Sequence, residues 1–417
     1  MFIFETLHFP AMTKKMFFLE GRIQHYDWGG YLFIPQLLRI ENPQHKPYAE
    51  YWLGAHPAAP AEIIDPPQRY PLNEYIHQYP IETLGEKVWH TFGTLPYLLK
   101  VLDVRHMLSI QVHPSREGAI AGYEREEKAG IPLHAPHRNY KDRNHKPELM
   151  VALSDFWLLH GFRPEADLLD TLSRIPEFQP LVRRFHQGGY RGLYEEVMQM
   201  DAADADRLLW PIVKKATRRL ESDEWSAPVE DPAYWLAQAI RQHPPGKYLD
   251  RGLFSFYLMN IVHLHPGEAI YQDAGILHAY LYGQNVEIMA NSDNVLRGGL
   301  THKHVDVAEL LQHVKCEPVV PQIIAPHSSA LSPESIYSCP APDFRLSRIE
   351  LAPGHHFTTQ AQSAEIWLLM EGHLIVRNSD DLLLQSGQSI ILFAGEQVTC
   401  TAQGESSAIV FRAAVPE

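Results

Sequence analysis

The segment Leu108–Pro114 reads LSIQVHP, and its alternation puts Ser109, Gln111 and His113 on one face of a strand with Ile110 and Val112 on the other. The apolar pair must face a core, so the polar face points into something wet or functional. A Gln and a His two residues apart on a strand can reach one metal ion, although read alone the segment is equally a solvent-facing edge strand. In Asn139–Met150, Lys146 and Glu148 share parity, which offers a carboxylate as a third ligand. In Gly275–Tyr282, His278 and Tyr280 share a face between apolar neighbours, and His278 is a plausible fourth. Two imidazoles, a carboxylate and an amide oxygen suit a borderline divalent ion: zinc, manganese, iron(II) or cobalt. The segment Val286–Lys303 adds Glu287, then Arg297 beside Gly298 and Gly299, then Lys303. Glycines allow close backbone approach, so Arg297 there suits a phosphate or an oxyanion. The H-x-H pairs His263/His265 and His302/His304 look like ligand pairs, but no carboxylate is linked to either in the sequence, and both are read as structural.

These pieces need a scaffold, and three textures along the chain supply one. Up to about Pro164, short apolar runs broken by Pro, Gly and Asn read as strands and loops. From Glu165 to Arg251, apolar residues at three- and four-residue spacing predict amphipathic helices. Beyond that, strand texture returns. A faint repeat relates Pro266–His278 to Ser386–Val398: Gly267 matches Gly387, Ile270 matches Ile390, and Ala274-Gly275 matches Ala394-Gly395. Val398 stands where the first copy has His278, as in a duplicated β-barrel that keeps its polar site in one copy.

Composition narrows the class. The chain has 417 residues, 45% hydrophobic and 21% charged, which excludes a disordered or fibrous protein and allows a large core. A net charge of -14 argues against general nucleic-acid binding but not against a small anionic substrate met by a local group of Lys and Arg. Three cysteines without a C-x-x-C pair fit a reducing compartment. No apolar run reaches membrane-spanning length, and the lysines of MFIFETLHFPAMTKK follow its apolar residues, the wrong order for a secretory signal. Translation starting at Met12 or Met16 would make the first residues an extension. A cytoplasmic protein is expected.

Taken together, QHYDWGG (Gln24–Gly30), YAEYWLGAHP (Tyr48–Pro57), SIQVHPS (Ser109–Ser115), NYKDRNHKPELMVAL (Asn139–Leu153), PGEAIYQDAGILHAYLYG (Pro266–Gly283) and EIMANSDNVLRGGLTHKHVDV (Glu287–Val307) resemble the type I phosphomannose isomerases, in the family's order from Gln24 to Val307. The resemblance implies a mainly β fold with an α-helical insertion: two cupin-type jelly-roll barrels plus an inserted helical domain. The parts would be 16–164 and 251–330 for the catalytic cupin, 165–250 for the helical insertion, and 331–417 for a metal-free cupin-like domain. It implies one zinc ion per chain on Gln111, His113, Glu148 and His278, and interconversion of mannose 6-phosphate and fructose 6-phosphate, feeding GDP-mannose biosynthesis. Arg297, Glu287, Lys146, His145 and Asp293 are the implied catalytic residues, with Glu287, His145, Lys146 and Asp293 all open as the base. Lys100, Ser109, Tyr280 and Lys303 are the implied substrate contacts. A small phosphorylated sugar is the expected partner, with no nucleic acid, no membrane, and a monomer or weak homo-oligomer.

Other readings stay open: isomerisation of another sugar, a non-catalytic sugar-phosphate-binding cupin, or a two-His, one-carboxylate iron oxygenase. The chain departs from the family in having Leu277 before the metal His, where a Pro is common. It also reads RGGLTHK where the family commonly reads R-A-G-L-T-P-K, so Gly298 and His302 are expected to loosen that segment.

Overall fold

The structure, a computed structural model, describes residues 12–328 and 332–416. The first eleven residues, most of the expected extension, lie outside these. The chain divides into two compact units. One comprises Met1–Asp103 (described from residue 12), Val286–Asn291 and Ile324–Glu417; the other comprises Val104–Asn285 and Ser292–Ile323.

The first unit is built on a nine-stranded antiparallel sheet. Its order is His327–Ser328, Glu334–Tyr337, Arg345–Leu351, Ala408–Ala414, Glu365–Glu371, Ser389–Leu392, Met16–Glu20, Glu62–Asp65 and Gln68–Pro71. A four-stranded sheet, His356–Gln360, Gln397–Gln403, His373–Arg377 and Asp381–Gln385, belongs to the same unit. Alternation explains the core: Met16, Trp367, Leu369, Ile390, Leu392, Val398 and Cys400 are all buried in one apolar cluster. Tyr97 is fully buried, and its hydroxyl donates to the Ala364 and Ala413 carbonyls.

In the second unit the His278 end of the long strand His278–Ala290 lies between two partners. Ile110–Val112 pairs on one side and is itself covered by Leu296–Gly299; Phe156–Phe162 pairs on the other and is followed by Met259–Leu264. Glu148–Ala152 pairs with Ala269–Gln272. No ring of strand pairings closes among the described residues. The expected helices are present as Glu165–Ser173, Gln179–Gln199, Ala202–Glu221 and Pro232–Gln242. In Ala202–Glu221 the residues Ala205, Leu208, Leu209, Ile212, Val213 and Ala216 form the buried stripe, and Asp201 caps the start by accepting from the Asp204 N–H.

The region before Pro164 also contains helices where strands and loops were expected, notably Pro80–Phe92 and Arg116–Lys128. Arg116–Lys128 buries only Ala119, Gly122 and Glu126, so it has no apolar stripe to read; the Ser115 hydroxyl, accepting from the Gly118 N–H, sets its start.

Candidate metal centre

His113, Glu148 and His278 converge, all buried, with one donor atom from each within 4.8 Å of the others. His113 follows the strand Ile110–Val112, whose Ile110 and Val112 face the core as the alternation required. Glu148 opens the strand Glu148–Ala152, and His278 opens the long strand. Glu148 Oε1 lies 3.3 Å from His113 Nε2, and Oε2 lies 3.2 Å from His278 Nε2.

The tautomers follow from the partners. His113 Nδ1–H donates to the Asn294 carbonyl (2.8 Å), and His278 Nδ1–H donates to the Ile276 carbonyl (2.9 Å). A carbonyl can only accept, so the proton sits on Nδ1 of each ring and both Nε2 lone pairs are left aimed at the carboxylate. Two lone pairs facing an anion repel it, and His113 Nε2, fully buried, makes no hydrogen bond among the described residues. A divalent cation among the three resolves that conflict, so the residues fit one. Gln111 stands directly opposite His278 on the adjacent strand; its amide nitrogen donates weakly to Ser109 Oγ (3.4 Å), which leaves the amide oxygen as the end able to ligate.

Charge around the group is graded. Burial pushes the His113 imidazole down to about 4, helped by the Lys146 ammonium. Burial alone would raise the Glu148 carboxyl, but the Lys146 ammonium, 3.0 Å from Oε1, outweighs it and holds the group well below the usual carboxylate range.

Three positions that matter escaped the sequence reading. Asp142 Oδ1 accepts from Ser292 Oγ (2.9 Å), Asn144 N–H (2.8 Å) and Asn294 Nδ2 (3.1 Å), and Oδ2 accepts from Asp293 N–H (2.8 Å). Asn294, fully buried, donates to the Asn144 carbonyl (2.8 Å) and accepts from the Lys141 N–H (2.7 Å). These two side chains tie together the loops that carry Lys146 and the carbonyl orienting His113. His160 faces His278 in the strand register and is pushed down to about 4, by burial and then by His278. Their signals, an Asn/Asp-rich turn and a lone His in WLLHGF, are common in proteins without such roles.

The remaining candidates fall into two places. In the second unit, Arg297 stands opposite Gln111 in the strand register, and burial pushes its guanidinium below its usual value. Partial burial, and then the Arg297 charge, push Lys303 down as well, so these two cations are neighbours in a partly dry setting. The Tyr280 hydroxyl accepts from Gln272 Nε2 (3.0 Å), His145 Nε2 accepts from Arg116 (2.8 Å), and Asp293 is exposed. In the first unit, Lys100 and Glu287 form a buried ion pair, with Lys100 opposite Trp52 in the register.

Two expectations are corrected. Gly298 does not loosen its segment: it is buried in the strand Leu296–Gly299, and a Cβ there would lie 2.9 Å from the Tyr194 hydroxyl. The missing side chain is filled from the helix Gln179–Gln199. The pair His263/His265 is linked to a carboxylate after all, because the chain turns Asp155 onto both rings.

Residues 16–165 match the family model described as phosphomannose isomerase type I, catalytic domain. The chain is 36% identical over 386 residues to a Salmonella typhimurium protein named mannose-6-phosphate isomerase, covering 91% of this chain and 95% of that one. A human protein of the same name is 33% identical over 435 residues, covering 96% and 99%. The crystal structure of the Salmonella typhimurium mannose 6-phosphate isomerase bound to its substrate fructose 6-phosphate and zinc is similar with a TM-score of 0.86 at 34% identity, covering 97% of this chain and all of that one.

Proposed function

The chain belongs to the type I phosphomannose isomerases, and on that premise we propose that it interconverts mannose 6-phosphate and fructose 6-phosphate with one bound zinc ion. The observation that carries this reading is the buried His113–Glu148–His278 group, whose two Nε2 lone pairs are fixed toward one carboxylate by backbone carbonyls. Gln111 is the proposed fourth ligand.

The reaction moves the proton on C2 of the open aldose to C1 while the O2 hydroxyl proton passes to O1. An enediol(ate) lies between the two sugars. A bound divalent ion supplies positive charge for the oxygen that becomes negative. Arg297 adds fixed charge for the same oxyanion, in a setting dry enough to push its own guanidinium down. Lys303 beside it, with Ser109, Tyr280 and Lys100, is proposed to hold phosphate and sugar hydroxyls.

For the base we choose Glu287. The His145 Nε2 lone pair is taken up by Arg116, the Lys146 ammonium is held by Glu148, and Asp293 is exposed. Glu287 is a buried carboxylate in an ion pair with Lys100. Glu287→Gln is expected to lower kcat by about 10²–10⁴-fold with zinc content unchanged; an equal loss of zinc would move Glu287 out of that role.

The function is tested by a coupled assay for fructose 6-phosphate from mannose 6-phosphate, before and after EDTA and with zinc added back. Activity abolished and then restored supports reaction and cofactor together. A metal-loaded protein without turnover would overturn the reaction. We further propose a cytoplasmic protein, monomeric or weakly self-associating, that supplies GDP-mannose biosynthesis; among the described residues no helix is long and apolar enough to cross a membrane. The division at 16–164, 165–250, 251–330 and 331–417 is kept as the proposed evolutionary one, a helical insertion interrupting one cupin and a second cupin following it.

A further inference from the structure

At the end of the antiparallel strand pair Met259–Leu264 and Phe156–Phe162 where Leu264 faces Phe156, three potential metal donors meet at the surface of the second unit. His263 stands opposite Trp157 in the register, and its ring lies flat on the indole, with centroids 4.2 Å apart and planes 1° apart. That stack fixes the imidazole plane. His265 follows two residues later; its backbone N–H donates to Glu268 Oε2 (2.8 Å), and its carbonyl accepts from the Glu268 N–H (3.0 Å), which fixes the turn that carries it. Asp155 precedes the partner strand. Its Oδ1 lies 2.9 Å from His263 Nε2 and 3.4 Å from His265 Nδ1, and the two rings are 4.5 Å apart.

These separations have a chemical meaning. Zinc bonded at about 2.0–2.1 Å to tetrahedral donors sets those donors roughly 3.3 Å apart. The two nitrogen–oxygen separations bracket that value. The donor classes, two imidazoles and one carboxylate, are those of the buried centre, but the side chains of Asp155 and His265 are 67% and 66% exposed. Further coordination positions would therefore be filled by water.

We propose that Asp155, His263 and His265 form a second, solvent-exposed site for a borderline divalent cation such as zinc, nickel or cobalt. The site is independent of the buried centre and of the isomerase reading. Because its positions are open and its ligands lose side-chain freedom on binding, it holds metal more weakly than the buried group.

The test strips the full-length protein with a chelator and titrates it with zinc alone, counting bound ions by equilibrium dialysis and elemental analysis while isomerase activity is followed on the same samples. The wild type is expected to bind two equivalents, the tighter one restoring activity. Asp155→Asn and His265→Ala are each expected to bind one equivalent and keep full activity. One equivalent in the wild type, or two in both variants, overturns the proposal. His278→Ala provides the converse arm: it is expected to lose the activity-linked ion and keep the weaker one, and loss of both ions there would overturn the independence of the two sites.

Discussion

The strand–turn–strand segment that runs to His278 and the one that runs to Val398 are the same piece of backbone put to two uses. Gly267 and Gly387 have φ of 91° and 87°, and Gly275 and Gly395 have φ of 84° and 81°. The Glu268 N–H donates to the His265 carbonyl and the Gln388 N–H to the Gln385 carbonyl, both at 3.0 Å. The strand register extends the correspondence. Gln272 faces Glu148 as Leu392 faces Glu365; His278 faces Gln111 as Val398 faces Thr359. The Gly275 N–H meets the His113 carbonyl as the Gly395 N–H meets that of Ala361. The four proposed ligands Gln111, His113, Glu148 and His278 thus correspond to Thr359, Ala361, Glu365 and Val398.

The one carboxylate kept in the second copy is taken by a cation from within the chain. Arg412 donates to both oxygens of Glu365, at 2.8 and 2.7 Å, and also to Glu334. The difference shows what a metal site requires beyond this scaffold: imidazoles in place of Ala361 and Val398, and no guanidinium on the carboxylate. The copies also differ at an edge. His356–Gln360 is an outer strand of its sheet, whereas the equivalent Ile110–Val112 is covered by Leu296–Gly299, which brings Arg297 opposite Gln111.

The largest effect is expected from making the first copy more like the second. His278→Val removes one proposed ligand and leaves His113 as the one imidazole facing Glu148. Zinc should be lost and kcat should fall by at least about 10³-fold, the scale of several kcal/mol of charge stabilisation. Full zinc occupancy in that variant would break the correspondence at His278.

The second test works on the other copy. Arg412→Met leaves Glu365 buried without its partner and should destabilise the fold by about 3–5 kcal/mol in chemical denaturation, with activity per folded molecule unchanged. Replacing the pair, Arg412→Met with Glu365→Leu, should recover most of that loss, because an apolar pair needs no compensation. If the double variant is as unstable as the single one, Arg412 acts through Glu334 instead.

The two copies also predict a different response to acid. His113, with Ala361 as its counterpart, is held neutral down to about 4, and so is His160. A histidine whose folded pKa lies below its unfolded value stabilises the fold above about 6.5, and that contribution is lost as pH falls toward 4, since the unfolded chain takes the proton first. Chelator-stripped protein should therefore lose roughly 3 kcal/mol per histidine across that window. Denaturation midpoints from pH 7 to 4 measure it, and His160→Gln should flatten about half of the slope. A slope that His160→Gln leaves unchanged would mean that the His160 ring is not held neutral.

Much of this was legible because the sequence is periodic where it is buried. Alternation alone paired Gln111 with His113, and the four-position repeat located both strand–turn–strand segments. The helices of 165–242 announced themselves by stripes such as Leu208, Leu209, Ile212 and Val213. What stayed hidden has no period. The helix Arg116–Lys128 buries small residues and a Glu, and Asp142 and Asn294 act through loop hydrogen bonds between segments some 150 residues apart. Asp155 joins His263 and His265 only because two strands pair. The match of Glu148 to Glu365 needs the strand register, since the segments around them share no motif.

The smallest effect concerns the strand that, among the described residues, only the first copy possesses. Gly298 was expected to slacken it, yet the space beside it is closed by the Tyr194 hydroxyl and by Ile110 Cγ2, which a Cβ would meet at 2.9 and 3.1 Å. Gly298→Ala must push one of them aside at a cost of about 1–2 kcal/mol. Because Arg297 precedes it, kcat should fall a few-fold while zinc stays bound. The Tyr194 hydroxyl is buried without a hydrogen bond, so Tyr194→Phe by itself should be nearly neutral. In that background Gly298→Ala should recover both stability and kcat, because the clashing atom is gone and the backbone at 298 does not require glycine's positive φ. A double-mutant cycle with no coupling would show that the contact does not hold the Arg297 strand in place, and the extra strand would then owe its position to Ile110–Val112 alone.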